Sequence, residues 1–232
     1  RERLTFCTLG RRELMKRTGF LVLAGMTVLA GCATKTQTGA VVGAAGGAVV
    51  GGAVGAAAGS TAKGAIIGAV VGGVAGTIIG AQMDKQAKEL EQNIKGAKVE
   101  RVGEGIQVTF ESGLLYDFDS DVVRPEAQAN LRELATSLDK YPGSDVLIVG
   151  HTDALGTSGY NQSLSERRAS AASAYLASQG VARNRIATRG LGETEPVAGN
   201  DTEAGRQRNR RVEVAIYASE AYRAEVAKRA PR

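Results

Sequence analysis

Tryptophan is absent from these 232 residues, aromatic residues make up only 4%, and His151 is the one histidine. With 31 glycines, this is not the composition of one uniform globular core. Cysteine is as scarce: Cys7 and Cys32 lie in or beside the N-terminal stretch, and none follows. That excludes a disulfide framework or a cysteine-based metal site for the folded part, and one histidine cannot build a histidine-rich cluster. No metal and no cofactor is expected. The net charge of +5 hints at nucleic acid, but it is unevenly placed. Residues 1–31 carry six basic side chains against Glu2 and Glu13, which leaves +4 there and only +1 for residues 32–232. A nucleic-acid footprint needs a basic face on the folded domain, so no nucleic-acid partner is expected.

Residues 15–32, "MKRTGFLVLAGMTVLAGC", have the texture of an export signal. Lys16 and Arg17 precede a short apolar run, Phe20 to Leu29, which closes on small residues. The run falls short of the ~20 residues of a membrane span. Its ending, Leu29-Ala30-Gly31-Cys32, resembles the bacterial lipobox, which implies acylation of Cys32 and residues 1–31 as a removed signal peptide. Ala33 after the cysteine resembles outer-membrane sorting. Met15 reads as the natural start, although "RRELMK" loosely resembles a twin-arginine signal.

After a short segment, 32–38, the chain becomes periodic. Glycines stand at 39, 43, 47, 51, 55 and 59, then at 64, 68, 72, 76 and 80, with Ser60-Thr61-Ala62-Lys63 as the only polar break. A period of four puts glycine on one stripe of a helix, where two helices can approach closely. Residues 39–81 are therefore predicted to form a membrane-inserted or self-associating helical hairpin, and the segment resembles the glycine zippers of envelope lipoproteins. Residues 82–98 turn charged and read as an exposed helical connector, with Leu90 and Ile94 one turn apart.

From about Val99 the texture is that of a globular domain. "VERVGEGIQVTF" alternates around Gly103-Glu104-Gly105, which predicts a hairpin. Pro125 opens a helix with an apolar row at Ala127, Leu131, Leu134, Leu138 and Tyr141 that ends at Pro142-Gly143. Val146–Val149 reads as a strand buried on both faces, Ser163–Ser178 as a second helix, and Ile186–Gly190 and Val212–Tyr217 as further strands. The fold class is α/β: a two-layer sandwich with helices packed on a mixed sheet around a βαβαβ core. Residues 219–232 are left as a tail.

One charge is out of place. Leu164, Ala171, Ala172, Tyr175 and Leu176 define the apolar face of the second helix, and Arg168 lies near its centre while Arg167 points away. A buried arginine is expensive unless it is paired. Asp153, just beyond the buried strand, is the nearest candidate carboxylate. Either the two form a structural ion pair, with Asn161 capping the loop, or they flank a pocket and take the opposite charges of a zwitterionic ligand.

"LYDFDS" with Phe118 and Asp119, "GHTD" at 150–153, "YNQSLSERRA" at 160–169, "RGLGETEP" at 189–196 and "NRRVEV" at 209–214 occur in the order and spacing of the OmpA-like C-terminal domain, a peptidoglycan-binding module. Residues 99–218 resemble that domain, and with the lipobox and zipper the whole chain resembles YiaD-type outer-membrane lipoproteins. The resemblance implies that Asp153 and Arg168 grip diaminopimelate of the peptidoglycan stem peptide, the carboxylate taking an ammonium and the guanidinium fork a carboxylate. It implies Thr152, Asn161 and Arg210 as pocket-lining partners and Asp119 as a weaker one, with the 193–211 loop bordering the site. Of the basic run Arg206, Arg208, Arg210 and Arg211, only Arg210 is singled out, the rest reading as solvated.

The expected role is a non-enzymatic tether, lipid-anchored in the outer membrane through Cys32 and bound to peptidoglycan from the periplasm. The alternative is a membrane-active or oligomerising zipper that the soluble domain merely positions. A hydrolase would need two positioned carboxylates, and no such constellation is evident in the sequence. His151 lacks a nucleophile motif and reads as a packing residue.

Overall fold

A computed structural model of the chain describes residues 60–117 and 119–230. The predicted signal peptide, the acylation of Cys32, the first glycine run and Phe118 lie outside the described residues. Among the described residues seven α-helices, one 3-10 turn (Arg183–Arg185) and five strands follow one another. The helices and strands are α1 (Thr61–Gly68), α2 (Gly73–Asn93), β1 (Lys98–Val102), β2 (Gly105–Glu111), α3 (Ser112–Leu115), α4 (Pro125–Lys140), β3 (Ser144–Gly150), α5 (Ser158–Ser178), β4 (Ile186–Gly190), α6 (Glu203–Asn209), β5 (Arg211–Ala218) and α7 (Glu220–Arg229).

The strands form one mixed sheet in the order β1-β2-β5-β3-β4. β1–β2, β2–β5 and β5–β3 are antiparallel, while β3 and β4 run parallel because α5 carries the chain back between them. The expected α/β sandwich is present. Side chains alternate across the sheet. Ile106, Val108 and Phe110 of β2, Val146 and Ile148 of β3, and Val212, Val214 and Ile216 of β5 face a core shared with α2, α4 and α5.

The other face is covered as well, as the run 146–149 predicts, but that α1 supplies the cover was not predicted. Leu147 and Val149 of β3, with Ala215 and Tyr217 of β5, pack against Ala62, Ala65, Ile66 and Ala69 of α1 and the residue after it. The continuous apolar run of β3 is thus explained: α1 is its second cover. Ser60 caps α1, its hydroxyl accepting from the Lys63 amide at 3.2 Å.

The described part of the glycine segment differs from expectation. The second run is not one helix over 64–80: it breaks between Gly68 and Gly73, where Gly72 and Gly73 take φ of 72° and 62°. The Glu104 carboxylate, in the β1–β2 turn, accepts from the Val71 and Gly72 amides at 2.9 Å each and holds the bend. A Cβ on Gly76 would meet Glu104 Oε1 at 2.1 Å, so this glycine admits the hairpin turn and not a second helix. No helix of the described residues is long and apolar enough to cross a membrane.

Nor is the connector an exposed one. α2 presents Ala75, Ile79, Met83, Ala87 and Leu90, followed by Ile94, as one buried stripe at helical spacing. Gln86, buried between them, donates to Ser137 Oγ at 3.1 Å and accepts from Ser144 Oγ at 3.3 Å. The expected tail is helical over α7 and docks through Val226 and Tyr222. Because Ile79 and Met83 belong to the main core, Ile79→Ala or Met83→Ala should cost about 2–5 kcal/mol. Urea unfolding of the full chain would show this as a lowered midpoint of a single transition. An unchanged midpoint would mean that α2 is not part of the domain.

Candidate functional site

Two glycines decide how closely α5 meets the sheet. Gly150 and Gly190 end β3 and β4 and face each other in register. A Cβ on Gly150 would lie 2.3 Å from the Ser165 carbonyl oxygen, and one on Gly190 would lie 2.5 Å from the Glu166 amide nitrogen. Their missing side chains let the middle of α5 rest on the strand ends. Asn161, Leu164, Ser165 and Arg168 consequently face inward and are buried, whereas Arg167 is exposed and pairs with Asp121 at 3.5 Å. α5 begins five residues before the predicted start because Thr157 caps it, accepting from the Tyr160 amide at 3.3 Å.

Arg168 is the buried cation that the helix phase predicts, but Asp153 is not its partner. Its Nε donates to the Ser120 carbonyl at 2.9 Å, its Nη2 reaches the Asp117 carbonyl at 3.5 Å, and its guanidinium carbon lies 5.4 Å from the centre of the Tyr116 ring. The Tyr116 hydroxyl closes the unit by donating to the Arg168 carbonyl at 2.6 Å. Among the described residues no carboxylate is in ion-pair contact with Arg168. Burial pulls its pKa below the usual guanidinium value, opposed by Tyr116, Tyr160, Asp119 and Asp121. An arginine stays cationic regardless, so the site holds an inward positive charge answered by carbonyls and a ring.

Asp153 is buried as well, with a different cation. Its Oδ2 accepts from Arg210 Nη1 at 2.6 Å and its Oδ1 from the Leu155 amide at 3.1 Å. The structural ion pair entertained for Asp153 and Arg168 is therefore replaced by Asp153–Arg210. Arg210 extends a second bond of 2.6 Å to Glu203 of α6. Partial burial draws the Arg210 pKa down, yet the bonds to Glu203 and Asp153 outweigh it and raise the pKa.

The other expected residues fill in around these. The Asn161 amide group donates to the Asp153 carbonyl at 3.2 Å and to Glu193 Oε2 at 2.6 Å. Thr152 spends its hydroxyl on the Asp153 carbonyl at 2.9 Å and its amide on the Gly192 carbonyl at 2.8 Å, so it braces the loop. Asp119 sits at φ 56° and its carboxylate accepts from the Tyr160 hydroxyl, which places it on the Arg168 side. Two charged clusters result: Asp153, Arg210, Glu203 and Glu193 at the strand end, and beside them Arg168, Asp119 and Tyr160, Arg168 standing two turns along α5 from Asn161. The loop over 193–211 borders the first, as predicted, and contains α6.

Tyr116, Tyr160, Glu193 and Glu203 were not anticipated. The sequence does carry a signal for three of them, since Tyr116, Tyr160 and Glu193 lie inside the blocks "LYDFDS", "YNQSLSERRA" and "RGLGETEP". Arg211 was expected to be solvated but is buried, paired with Glu213 at 2.7 Å. Among the described residues no cluster of three or more His, Cys, Asp or Glu could hold a metal. A cleft lined by Gln82, Tyr141, Gly143 and Tyr222 lies away from Asp153 and Arg168.

His151 is buried with neither ring nitrogen hydrogen-bonded among the described residues, 4.0 Å from Glu213. Burial first, and Arg211 next, push its pKa down to about 3, against opposition from Glu195. The unfolded chain takes up this proton near pH 6.5 and the folded one only near pH 3. The contribution is therefore whole above pH 6.5 and is lost as pH falls through that window, by up to about 1.4 kcal/mol per pH unit. Stability of His151→Leu measured by urea titration should fall less steeply than wild type between pH 6.5 and pH 4; parallel profiles would count against a neutral buried imidazole.

Comparison with known proteins places this geometry. Residues 115–210 match the OmpA family and residues 15–84 the YMGG-like Gly-zipper, so the chain carries an OmpA family domain behind a glycine zipper. Outer membrane porin F of Pseudomonas fluorescens is 45% identical over 111 residues, covering 48% of this chain and 34% of that protein. The probable lipoprotein YiaD of Escherichia coli (strain K12) is 35% identical over 136 residues, 58% of this chain and 62% of that one. The chain thus spans from about a third to three-fifths of the length of these curated relatives. A solved structure of the cell wall anchor of the T6SS from Pseudomonas aeruginosa is 37% identical, covers 58% of this chain and 97% of its own, and superposes with a TM-score of 0.52.

Proposed function

We propose that this protein is an outer-membrane lipoprotein that binds peptidoglycan noncovalently and ties the membrane to the wall. The observation that carries the reading is Arg168: a buried guanidinium held open by carbonyls and the Tyr116 ring, with no carboxylate in contact among the described residues. A cation in that setting is best satisfied by an anion that arrives with a ligand. Diaminopimelate of the stem peptide has the required chemistry, because its carboxylate fits the arginine fork and its ammonium fits a carboxylate. Asp153 supplies that carboxylate, the ammonium joining or replacing one bond of the Asp153–Arg210 pair. The OmpA family match, a relative that is a cell wall anchor and another that is a probable lipoprotein support the assignment.

In this reading Cys32 carries the acyl anchor, residues 60–230 occupy the periplasm, and the protein performs no catalysis. The rival, a zipper that acts alone in the membrane or by self-association, has against it that α1 and most of α2 are built into the domain.

The test is co-sedimentation with purified sacculi. Asp153→Ala and Arg168→Ala should each weaken binding by roughly 10- to 100-fold, the range for losing charged hydrogen bonds, with unchanged circular dichroism. Arg168→Lys keeps the charge and loses the fork, so it should recover only part of the binding. If both alanine variants pellet fully, the site is elsewhere. Release of soluble fragments from the sacculi would instead reveal a hydrolase.

A further inference from the structure

Nine large apolar side chains are exposed among the described residues, and five of them fall within one stretch of twelve: Ile67, Val70, Val71, Val74 and Ile78, each 39–50% exposed. They form the outer side of the bend between α1 and α2, whose inner side (Ile66, Ala69, Ala75, Ile79) is spent on the two cores. No Asp, Glu, Lys or Arg occurs from Gly64 to Met83. The outer face of α2 then turns charged at Asp84, Lys85 and Lys88. Contiguous exposed patches of this kind mark interaction sites.

The sheet register gives the patch a direction. Ile106, next to the β1–β2 turn, is in the row of Ile216 and Val146, whereas Gly150 is in the row of Val212. Those rows are four residues apart, about 13 Å along the strand. The turn that carries Glu104 lies beyond the first and the loop of Asp153 beyond the second. The apolar bend, held by Glu104, is therefore at the end of the sheet opposite the candidate binding site.

We propose that this bend docks on the phospholipid surface, Ile67, Val70, Val71, Val74 and Ile78 entering the acyl boundary while the Asp153–Arg168 end faces the wall. The proposal rests on the outer-membrane reading above. A lipid surface suits a small convex apolar patch, since it asks for no matching shape. A stable protein interface needs ~800 Å² from each side, more than five half-exposed side chains offer. The 27 residues between Cys32 and Ser60 can extend to roughly 90 Å. The anchor can therefore reach the bend, although Ser60 itself lies nearer the site end, bonded to Glu213 at 2.7 Å.

The experiment uses the full chain with Cys7→Ser and Cys32→Ser, so that no acyl chain contributes. A single cysteine, Val74→Cys or Val197→Cys, carries an environment-sensitive fluorophore. Vesicles of phosphatidylethanolamine and phosphatidylglycerol contain nitroxide-labelled lipid. Lipid quenching is expected at position 74 and not at position 197, which is exposed in the loop beside the site. In the unlabelled chain, Val70→Asn, Val74→Asn and Ile78→Asn together should lower vesicle partition by about tenfold or more and leave sacculus binding unchanged. A probe at 74 that stays in water overturns the proposal. So does one that is dry yet unquenched by lipid, which would mean cover by residues 39–59 or a second copy. Quenching at 74 in a chain that never pellets with sacculi would sink the wall-binding reading and leave this one standing.

Discussion

β3 and β5 are apolar on both faces. Val146, Ile148, Val212, Val214 and Ile216 point one way and Leu147, Val149, Ala215 and Tyr217 the other. Such a sheet must be covered twice. Helices α2, α4 and α5 cover one side. Among the described residues the helix that covers the other is α1, eight residues from the second half of the glycine zipper. This requirement commits the described part of the zipper to the domain, goes with the bend after Gly68, and leaves the outer side chains of the bend exposed among the described residues. It also fixes the direction of the molecule, since the bend is pinned to the hairpin turn and the candidate site to the other ends of the strands.

Two buried arginines show how burial separates structure from function. Arg211 is fully answered from within: Glu213 accepts from its Nε at 2.7 Å, and the Asn209 and Glu195 carbonyls accept from its other nitrogens at 3.4 and 3.1 Å. Glu213 is in turn held by Ser60. That pair is complete and offers nothing to a ligand. Arg168 is buried to a similar degree, but its described partners are two carbonyls and a ring. Desolvating a cation with so little in return is costly. The cost is intelligible if the missing anion is a ligand's.

Much of this was legible in the sequence for local reasons. Pro125, the alternation on either side of Gly103 and the run 146–149 write their elements directly, and the 100° phase of α5 separates buried Arg168 from exposed Arg167. The rest was hidden by ambiguity of pattern or by distance along the chain. A period-four glycine stripe reads equally as a helix-pair seam and as a surface that admits a hairpin turn, and the sequence could not say which. The stripe Ala75-Ile79-Met83-Ala87-Leu90 crosses a composition boundary, so its halves looked like a membrane segment and a solvated connector. Asp153 and Arg210 are 57 residues apart. Helix phase shows that Arg168 needs a partner, but not that Asp153 is already taken by Arg210.

The loop after β4 links the candidate site to the start of α1. Gly192 accepts from the Thr152 amide at 2.8 Å, and Glu193 accepts from Asn161 at 2.6 Å, both within the candidate site. Two residues on, the Glu195 carboxylate accepts from the Thr61 amide at 3.0 Å and from its hydroxyl at 2.6 Å, at the start of α1. Five consecutive residues, 191–195, therefore touch the group that orients Asp153 and the helix that leads back toward the predicted anchor. α1, docked on the sheet, thereby bonds Glu195, two residues from the Glu193 that meets Asn161. The second cover of the sheet thus does more than bury Leu147 and Val149: through Glu195 it is bonded to the same loop that carries Glu193 to Asn161, so α1 and the candidate site share one loop.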